Sequence, residues 1–464
     1  MSANGRWPLD LPLIRWSRYP RDVWTLRDAL QDVMVTGQKG SGKTSGTGRT
    51  VARKYLAAGF GGIVLCAQGE EAENWRGYLK ETRREADGRF FTLDGNLRFN
   101  PIAWEAQKSG GPDFAENIVH LLDDAASIRR EPKGTIPFWG EQRQRLLRNT
   151  VSLLMLAGQP VTLHSAYEVV GTAPKTSDQA QSDQRWMDES LTFALLERAT
   201  QVNGNHPDLP GVKNYFLRDW PTLPDRTRRP IEADMIGLLD PLTRGRLSTL
   251  FGGETNVSPD DMEDGQVLII DIPMVHREIA QYAALMWLQS VYRHGDRRVY
   301  SPPHTRPLFI YMDECQYFAT PTDARFQSTS RHHGFSVVRL TQSLPGLREA
   351  YRTQDATDAL LSHCCTRIFH LQTCAVTNKW AAESIGRTLQ ARQTVSTANT
   401  PYGNPQQSWA EAEDWDCPPG FFLDLKSGGR RHRNVVEAIV AQAGRTWLDG
   451  RRWIISDYRQ AKTR

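Results

Sequence analysis

The feature that most constrains this chain is the glycine-rich segment Gly37–Thr44, which has the spacing Gly-x-x-x-x-Gly-Lys-Thr. An apolar, β-prone run, Val33–Val35, leads into it, and a helix-compatible stretch follows it. This strand–loop–helix context is that of a P-loop, in which backbone N–H groups and a helix N-terminus bind phosphate. The sequence therefore predicts a nucleoside triphosphate site at the edge of a parallel sheet.

The nucleotide contacts predicted from this loop are consecutive residues. They are Gly37, Gln38, Lys39, Gly40, Ser41, Gly42, Lys43, Thr44 and Ser45. We expect Lys43 to reach the β- and γ-phosphate oxygens and the hydroxyl of Thr44 to hold Mg²⁺. The predicted cofactors are thus ATP and Mg²⁺.

Short apolar runs, typical of buried parallel strands, recur on both sides of a strand-poor region. They are Gly62–Cys66, Arg89–Leu93, Gln266–Ile272, Pro307–Glu314, Ser336–Gln342, Arg367–Leu371 and Gly420–Leu425. Between residues 112 and 225, apolar residues recur at helical spacing instead. The pattern predicts the α/β class: a RecA-like P-loop NTPase motor with a mainly parallel sheet flanked by helices, plus an inserted all-α domain.

We expect the following division of the chain. Residues 1–24 form an N-terminal strap, 25–111 and 226–425 form the split motor, 112–225 form the all-α insertion, and 426–464 form a basic segment packed on or trailing the motor. This last segment carries ten lysine and arginine residues against Glu437, Asp449 and Asp457. Such a charge balance suits contact with nucleic-acid phosphates and an ordinary solvated surface equally well.

Composition restricts the protein class rather than the activity. A net charge of +4 is too small to argue for nucleic acid, and the six cysteines lack disulfide-framework or zinc-site spacing. No run approaches the roughly 18 apolar residues of a membrane helix, and no signal-peptide pattern is visible. We therefore expect a cytoplasmic protein without a transmembrane anchor in this chain, recruited to the membrane, if at all, through partners.

An apolar strand that ends in Asp313 and Glu314 has the Walker B pattern. We expect Asp313 to contribute to the Mg²⁺ shell and Glu314 to polarise the attacking water. Gln342, at the end of the next strand, is placed to sense the γ-phosphate. An arginine from a neighbouring subunit would complete such a site; Arg331 is the first candidate and Arg367 the second.

These landmarks resemble the type IV secretion coupling proteins, the TraG/TraD-like conjugation ATPases related to the HerA/FtsK DNA translocases. The resemblance rests on ordered motifs between about Thr25 and Leu425. Besides the P-loop and Walker B, they are Phe99–Ile102, Phe138–Trp139 before a helix, and Thr341–Leu344 with Leu347. The resemblance implies a DNA-stimulated ATPase, a homo-hexameric ring, single- or double-stranded DNA as substrate, and a relaxase or other protein as partner.

Two departures from the family pattern leave alternatives open. Members commonly begin with transmembrane helices, which this chain lacks, and the family's Asp-Pro-Lys-Gly-Glu reads Cys66-Ala67-Gln68-Gly69-Glu70 here. One alternative is a cytosolic HerA/FtsK-like ATPase of DNA processing or defence. The other is an ATP-switched adaptor that recruits a protein through the all-α domain.

Overall fold

The computed structural model describes residues 7–110, 115–126, 137–276, 278–396 and 406–460. Its strands are β1 (Pro12–Arg15), β2 (Val23–Thr25), β3 (Val33–Thr36), β4 (Gly61–Leu65), β5 (Gly88–Thr92), β6 (Val267–Asp271), β7 (Leu308–Met312), β8 (Phe335–Thr341), β9 (Thr366–Phe369), β10 (Arg387–Ser396), β11 (Gln406–Trp415), β12 (Val435–Gln442) and β13 (Trp453–Arg459).

The described α-helices fall into two groups along the chain. Those of the first half are α1 (Leu26–Ala29), α2 (Arg49–Ala57), α3 (Gly69–Glu81), α4 (Pro101–Ser109), α5 (Ala115–Ala126), α6 (Pro137–Leu156), α7 (Leu163–Thr172), α8 (Ser177–Ser182), α9 (Gln184–Glu189), α10 (Leu191–Asn203), α11 (Leu209–Asn214), α12 (Trp220–Thr222), α13 (Asp225–Thr243) and α14 (Gly245–Phe251). The second half has α15 (Glu278–Arg297), α16 (Asp323–Ser330), α17 (Leu344–Tyr351), α18 (Gln354–Ser362) and α19 (Ala375–Ile385).

Short π or 3₁₀ turns join several of these elements. The π-helical segments are Thr44–Gly48 and Tyr215–Asp219, and the 3₁₀ turns are Glu85–Asp87, Pro259–Asp264, Met274–His276, Cys315–Phe318, Pro419–Leu423 and Arg430–His432. The last element of the sequence prediction, a strand over Gly420–Leu425, is therefore wrong. Pro418 and Pro419 fix the backbone and remove two donors, which favours the 3₁₀ turn over a sheet ladder.

A nine-stranded sheet in the order β13-β12-β9-β3-β8-β7-β4-β6-β5 forms the centre of the protein. All pairs from β9 to β5 are parallel, whereas β12 runs antiparallel to β9, and β13 antiparallel to β12. Every residue of β3, β4, β7 and β8 is buried, as apolar strands covered by helices on both faces require. The predicted mainly parallel sheet flanked by helices is confirmed.

Strand β8 lies between the P-loop strand β3 and the Walker B strand β7. Thr36 is paired with Thr341 across β3 and β8, and Met312 with Arg339 across β7 and β8. The carboxyl ends of these three strands therefore meet at one sheet edge, which brings together segments that are about three hundred residues apart in the chain.

The helices α4–α14 lie between β5 and β6 in the chain, and no strand is described between Thr92 and Val267. Helix α15 links this helical part to the sheet, because it contacts α4 and α5 as well as the turn after β7. One continuous apolar core joins the helical part to this face of the sheet, and it contains fully buried Trp287 stacked on Phe99. Among the described residues, no helix is both long and apolar enough to cross a lipid bilayer.

The two ends of the chain pack together on the other face of the sheet. The hairpin β1–β2 places Trp16 and Trp24 in the same buried cluster as Val436 and Tyr458 from the last two strands. Trp447 and Trp453 are only 2% and 5% exposed, so these side chains pack in the interior. Sequence analysis does not predict β12 and β13, which extend the sheet beyond residue 425.

Candidate nucleotide-binding site

The P-loop leaves the sheet at Thr36 and turns through Gly40 and Gly42, whose φ angles are 75° and 86°. A Cβ on Gly42 would lie 2.5 Å from a methyl carbon of Val436, so β12 packs directly against the loop. Both the positive φ angle and this close contact require glycine. The loop then enters the π-helical segment Thr44–Gly48, and α2 continues from it.

Two hydrogen bonds join the P-loop to the acidic end of β7. Lys43 Nζ lies 2.7 Å from Glu314 Oε1, with both side chains buried. The hydroxyl of Thr44 donates to Asp313 Oδ2 at 2.6 Å. The four residues that the sequence singles out for phosphate, metal and water thus lie in one cluster.

Glu314 has a left-handed backbone, with φ 52° and ψ 51°, which is uncommon for a residue with a side chain. Its carboxylate accepts hydrogen bonds from Gln342 Nε2 at 3.1 Å and from Gln316 Nε2 at 2.8 Å. Gln316 in turn accepts a hydrogen bond from the hydroxyl of Thr341 at 2.9 Å. Gln342 therefore reaches the Walker B glutamate, and Gln316 is a second amide partner that sequence analysis missed.

The two acids that follow β7, Asp313 and Glu314, have pKa values that are shifted in opposite directions. Burial raises the pKa of Asp313, and the positive charge of Lys43 together with the Thr44 hydrogen bond only partly offsets this. Burial also opposes ionisation of Glu314, but the hydrogen bonds from Lys43, Gln316 and Gln342 hold its pKa below the usual range. Glu314 is thus the ionised partner of the P-loop lysine.

Glu71 is a third acid in this region, and the sequence analysis did not select it. It lines a small cleft with Thr44 and Asp313, and it accepts a hydrogen bond from the backbone N–H of Ala67 at 2.9 Å. Burial and the negative charge of Asp313 raise the pKa of Glu71 to about 9. The sequence gives little sign that Glu71 belongs to the site, because only the pairing of β4 with β7 shows that residues after β4 lie beside Asp313.

His370, directly after β9, lies behind the P-loop. It is fully buried, and its Nε2 is 2.8 Å from the hydroxyl of Thr47. Burial and the nearby positive charge of Lys43 lower the pKa of His370 to about 3. The imidazole is therefore neutral, and it adds no second positive charge behind the phosphate loop.

An open cleft of about 890 Å³ extends from this cluster along the P-loop. Its lining includes Gln38–Ser45, Gln68, Glu70, Glu71, Asn74, Tyr78, Asp313, Glu314, Gln342 and Gln460. Ser41 Oγ is buried and has no hydrogen-bond partner among the described residues. Hydroxyl and carboxylate oxygens are the ligands that Mg²⁺ prefers, so Thr44 and Asp313 fit a magnesium ion.

The C-terminal strands also reach this cleft. Gln460, next to the end of β13, donates from Nε2 to the hydroxyl of Ser45 at 2.8 Å and accepts from the Gly429 N–H at 2.9 Å. Ser45 is therefore tied to the end of the chain. No sequence motif pointed to this contact, because it depends on the pairing of β12 with β13 beside β9.

The candidate arginines lie away from this cleft. Arg331 is exposed at the C-terminal end of α16, before β8 begins, and thus at the sheet edge opposite to the P-loop. Arg367 is near the start of β9 and donates to the carbonyl oxygens of Leu361 and Cys364 at 2.9 and 3.2 Å. Neither reaches the cleft of its own chain, so a role for either would need another copy.

Residues 307–414 match a family model that is described as the TraM recognition site of TraD and TraG. A comparison with curated proteins found no match. The matching segment begins just before β7 and includes the Walker B acids and Gln342.

Solved structures give a broader similarity. The unbound monoclinic form of the bacterial conjugative coupling protein TrwBdeltaN70 aligns with a TM-score of 0.65 and 14% identity, over 97% of this chain and 90% of that chain. Plasmid coupling protein TrwB with ADP and Mg²⁺ aligns with a TM-score of 0.60 and 15% identity, over 97% and 89% of the two chains. Its complex with a non-hydrolysable ATP analogue gives a TM-score of 0.59 and 15% identity, over 96% and 88%.

These similarities agree with the architecture described above. The fold is that of a RecA-like P-loop NTPase with an all-α part, as the sequence predicts. The predicted family resemblance is likewise confirmed: this protein resembles the TraG/TraD-like coupling proteins in fold over most of its length and in sequence over residues 307–414.

Proposed function

We propose that this protein is an ATP-hydrolysing, ring-forming DNA translocase of the coupling-protein type. The observation that carries the proposal is the pair of contacts between the P-loop and the Walker B acids, Lys43–Glu314 at 2.7 Å and Thr44–Asp313 at 2.6 Å. A mere nucleotide-binding loop needs no carboxylate beside its lysine. A hydrolysing site does, because the attacking water must be oriented and relieved of a proton.

In this proposal the residues have separate roles. When bound, ATP supplies the phosphoryl group and Mg²⁺ neutralises charge on its phosphates. Lys43 and the P-loop N–H groups from Gly37 to Ser45 would hold the phosphates, and Thr44 and Asp313 would hold the metal. Glu314 would accept the proton of the attacking water.

The ion pair between Lys43 and Glu314 adds a step to this scheme. While Glu314 is paired with Lys43, its carboxylate has a low basicity, and Lys43 and Gln342 both donate to the same oxygen. A phosphate that attracts Lys43 would free Glu314, so nucleotide binding itself would activate the base. Gln342 would follow this change, because its amide donates to the same carboxylate oxygen.

The proposal extends to the assembly and the partners. A homo-hexamer would let Arg331 of one subunit act on the cleft of the next, since Arg331 cannot reach its own cleft. DNA, held through its backbone, and a relaxase or other protein are the proposed partners. The domain limits given from the sequence, with residues 112–225 as the all-α insertion, remain part of this proposal.

The experiment that tests the function is ATP turnover measured with and without DNA. We expect stimulation by DNA in the wild type and a loss of about 10²–10⁴-fold in kcat for Glu314→Gln, since proton transfer by a positioned side chain contributes that much. Glu349→Gln is the matched control, because Glu349 is exposed on α17, away from the cleft.

Equal turnover by Glu314→Gln and Glu349→Gln would refute hydrolysis at this site. An adaptor is the second candidate, because the matching family model is described as a site that recognises another protein, TraM. ATP binding without DNA-stimulated turnover, together with nucleotide-dependent binding of a protein partner, would favour the adaptor.

A further inference from the structure

A second polar cleft lies at the amino-terminal ends of the parallel strands, whereas the P-loop lies at their carboxyl-terminal ends. We call these two ends of the strands the two edges of the sheet. It has a volume of about 450 Å³, and its lining includes three arginines, Arg367, Arg445 and Arg452, and no acidic side chain. Arg367 is paired with Met34 near the start of β3, whereas the P-loop leaves the other end of that strand. The two clefts therefore open at opposite ends of the parallel strands.

Arg367 is a cation without a counter-charge. It is largely buried, its guanidinium donates only to backbone carbonyls, and it forms no ion pair with a described carboxylate. Burial lowers the pKa of Arg367, and the neighbouring thiols of Cys364 and Cys365 offset this only in part. A half-desolvated arginine of this kind is costly unless an anion is its partner.

Three arginines at this edge lie on the faces of tryptophan rings. The guanidinium carbon is 4.1 Å from the ring centroid for Arg445 on Trp447, 4.2 Å for Arg387 on Trp415 and 5.7 Å for Arg367 on Trp380. Stacking on an indole fixes the plane of a guanidinium and leaves its N–H edge free to donate.

The acids near these arginines are distant partners. Arg445 forms an ion pair with Asp28 at 3.7 Å and donates to Gln442 and to the Val23 carbonyl, and Arg387 forms an ion pair with Glu413 at 3.9 Å. Arg452 is exposed and donates to the backbone carbonyl of Arg387 at 3.4 Å. Among the described contacts, Arg367 and Arg452 are therefore the members without an ion pair in this group, which we call the arginine surface (Arg367, Arg387, Arg445 and Arg452).

We propose that the arginine surface binds the phosphate backbone of a nucleic-acid strand. Planar guanidinium groups match the geometry of phosphate oxygens, and a guanidinium has five N–H donors, of which Arg367 uses two for hydrogen bonds to backbone carbonyls. Guanidinium contacts to phosphate carry no base information, so the contact is with the backbone and is independent of base sequence. This inference rests on the proposed DNA translocase function and adds to it a binding site away from the ATP cleft.

The test is the affinity for a fluorescein-labelled oligonucleotide, measured by anisotropy over a series of salt concentrations. We expect Arg367→Gln/Arg452→Gln to weaken binding and to reduce the slope of log K against log salt by about two, about one per lost phosphate contact. Arg185→Gln/Arg244→Gln is the matched control, since both side chains are exposed, Arg185 on α9 and Arg244 between α13 and α14, and the loss of charge is the same.

The single variant Arg452→Gln is a control for misfolding of the double variant. Its fold should be unaffected, because this exposed side chain makes one weak contact. It should reduce the slope by about one and leave the melting temperature unchanged. If the wild type binds the oligonucleotide and all variants match the control, the arginine surface is refuted while the translocase proposal stands. If the wild type does not bind, both are refuted.

Discussion

The two edges of the central sheet carry the same kind of residue in opposite settings. At the P-loop edge, the cation Lys43 is buried 2.7 Å from a carboxylate, and neutral His370 lies behind it. At the other edge, Arg367 is also largely buried, but its guanidinium contacts backbone carbonyls and an indole ring. The cation at the P-loop edge, Lys43, is ion-paired with an acid of the same chain. The cation at the opposite edge, Arg367, forms no ion pair with a described carboxylate.

This difference shows how charge is used at each edge. In the proposed function, Lys43 exchanges the carboxylate of Glu314 for a phosphate, which would couple nucleotide binding to activation of the base. Arg367 cannot exchange partners in this way, because it forms no ion pair with a described carboxylate. The first arrangement suits catalysis, whereas the second suits electrostatic binding of phosphate groups.

The largest expected effect is on ATP turnover, and it tests whether Arg331 acts on the nucleotide cleft of another subunit. If Arg331 acts on the cleft of another copy, Arg331→Ala should lower ATP turnover by about 10³-fold, the lower end of the range for such arginines. Arg325→Ala, an exposed arginine on the same helix, should keep wild-type turnover. Mixing Arg331→Ala with Lys43→Ala should restore part of the activity, and a mixture as inactive as its components would exclude action in trans.

The next effect tests the paired cation itself. Lys43→Ala should lower kcat/KM for ATP by about 10²–10³-fold, because a charge-stabilising donor is lost in a water-poor site. Lys54→Ala on α2 is the control, since Lys54 is exposed, does not line the cleft and has no acid partner among the described contacts. Similar kcat/KM values for the two variants would mean that the Lys43–Glu314 pair is structural only.

A smaller effect is expected from Gln342, whose side-chain amide donates to Glu314. Gln342→Ala removes a 3.1 Å hydrogen bond to the carboxylate, so kcat should fall about tenfold, or about 1.4 kcal/mol. Gln354→Ala removes an exposed amide bonded to Asp358 and serves as the control. An unchanged kcat for Gln342→Ala would separate this residue from catalysis.

An effect of similar free energy concerns stability at the P-loop edge. His370 has a pKa of about 3 in the folded protein, whereas an unfolded histidine titrates near about 6.5. Between these values the unfolded chain binds the extra proton, so stability falls as pH falls through this window. From about pH 7.5 to about pH 5.5, His370 should cost about 1.4 kcal/mol of unfolding free energy.

Urea unfolding of the wild type and of His370→Asn at both pH values checks this prediction. The asparagine does not titrate, so the variant should lack this part of the pH dependence. The same slope in both proteins would show that His370 titrates in the folded protein as it does in the unfolded chain, so that it adds a second positive charge at the P-loop edge only below about pH 6.5.

Local sequence patterns were sufficient for much of the site. The glycine spacing around Lys43 and the apolar run that ends in Asp313 and Glu314 each follow from contiguous residues, because strand, loop and helix are local structures. The same reasoning placed Gln342 at a strand end. It failed for Glu71 and Gln316, whose positions depend on which strands are neighbours.

The final strands show the same limit. The largely apolar run Val435–Val440 in β12 is a strand signal that was overlooked, and Gly420–Leu425 was selected as the last strand instead. Pairing of β12 with β9, and contact of Val436 with Gly42, become visible only when the sheet is assembled. Long-range pairing depends on the packing of the whole core, which local propensity does not encode.

The sequence by itself determined that this chain has a P-loop and a pair of Walker B acids, because those motifs are short and their chemistry restricts the residue types. The tertiary structure decided that Lys43 and Glu314 form an ion pair and that β8 lies between their strands. It also decided that four arginines gather at the opposite edge. The reason is physical: a motif specifies which groups are present, whereas strand order and burial specify which groups meet and what each charge costs.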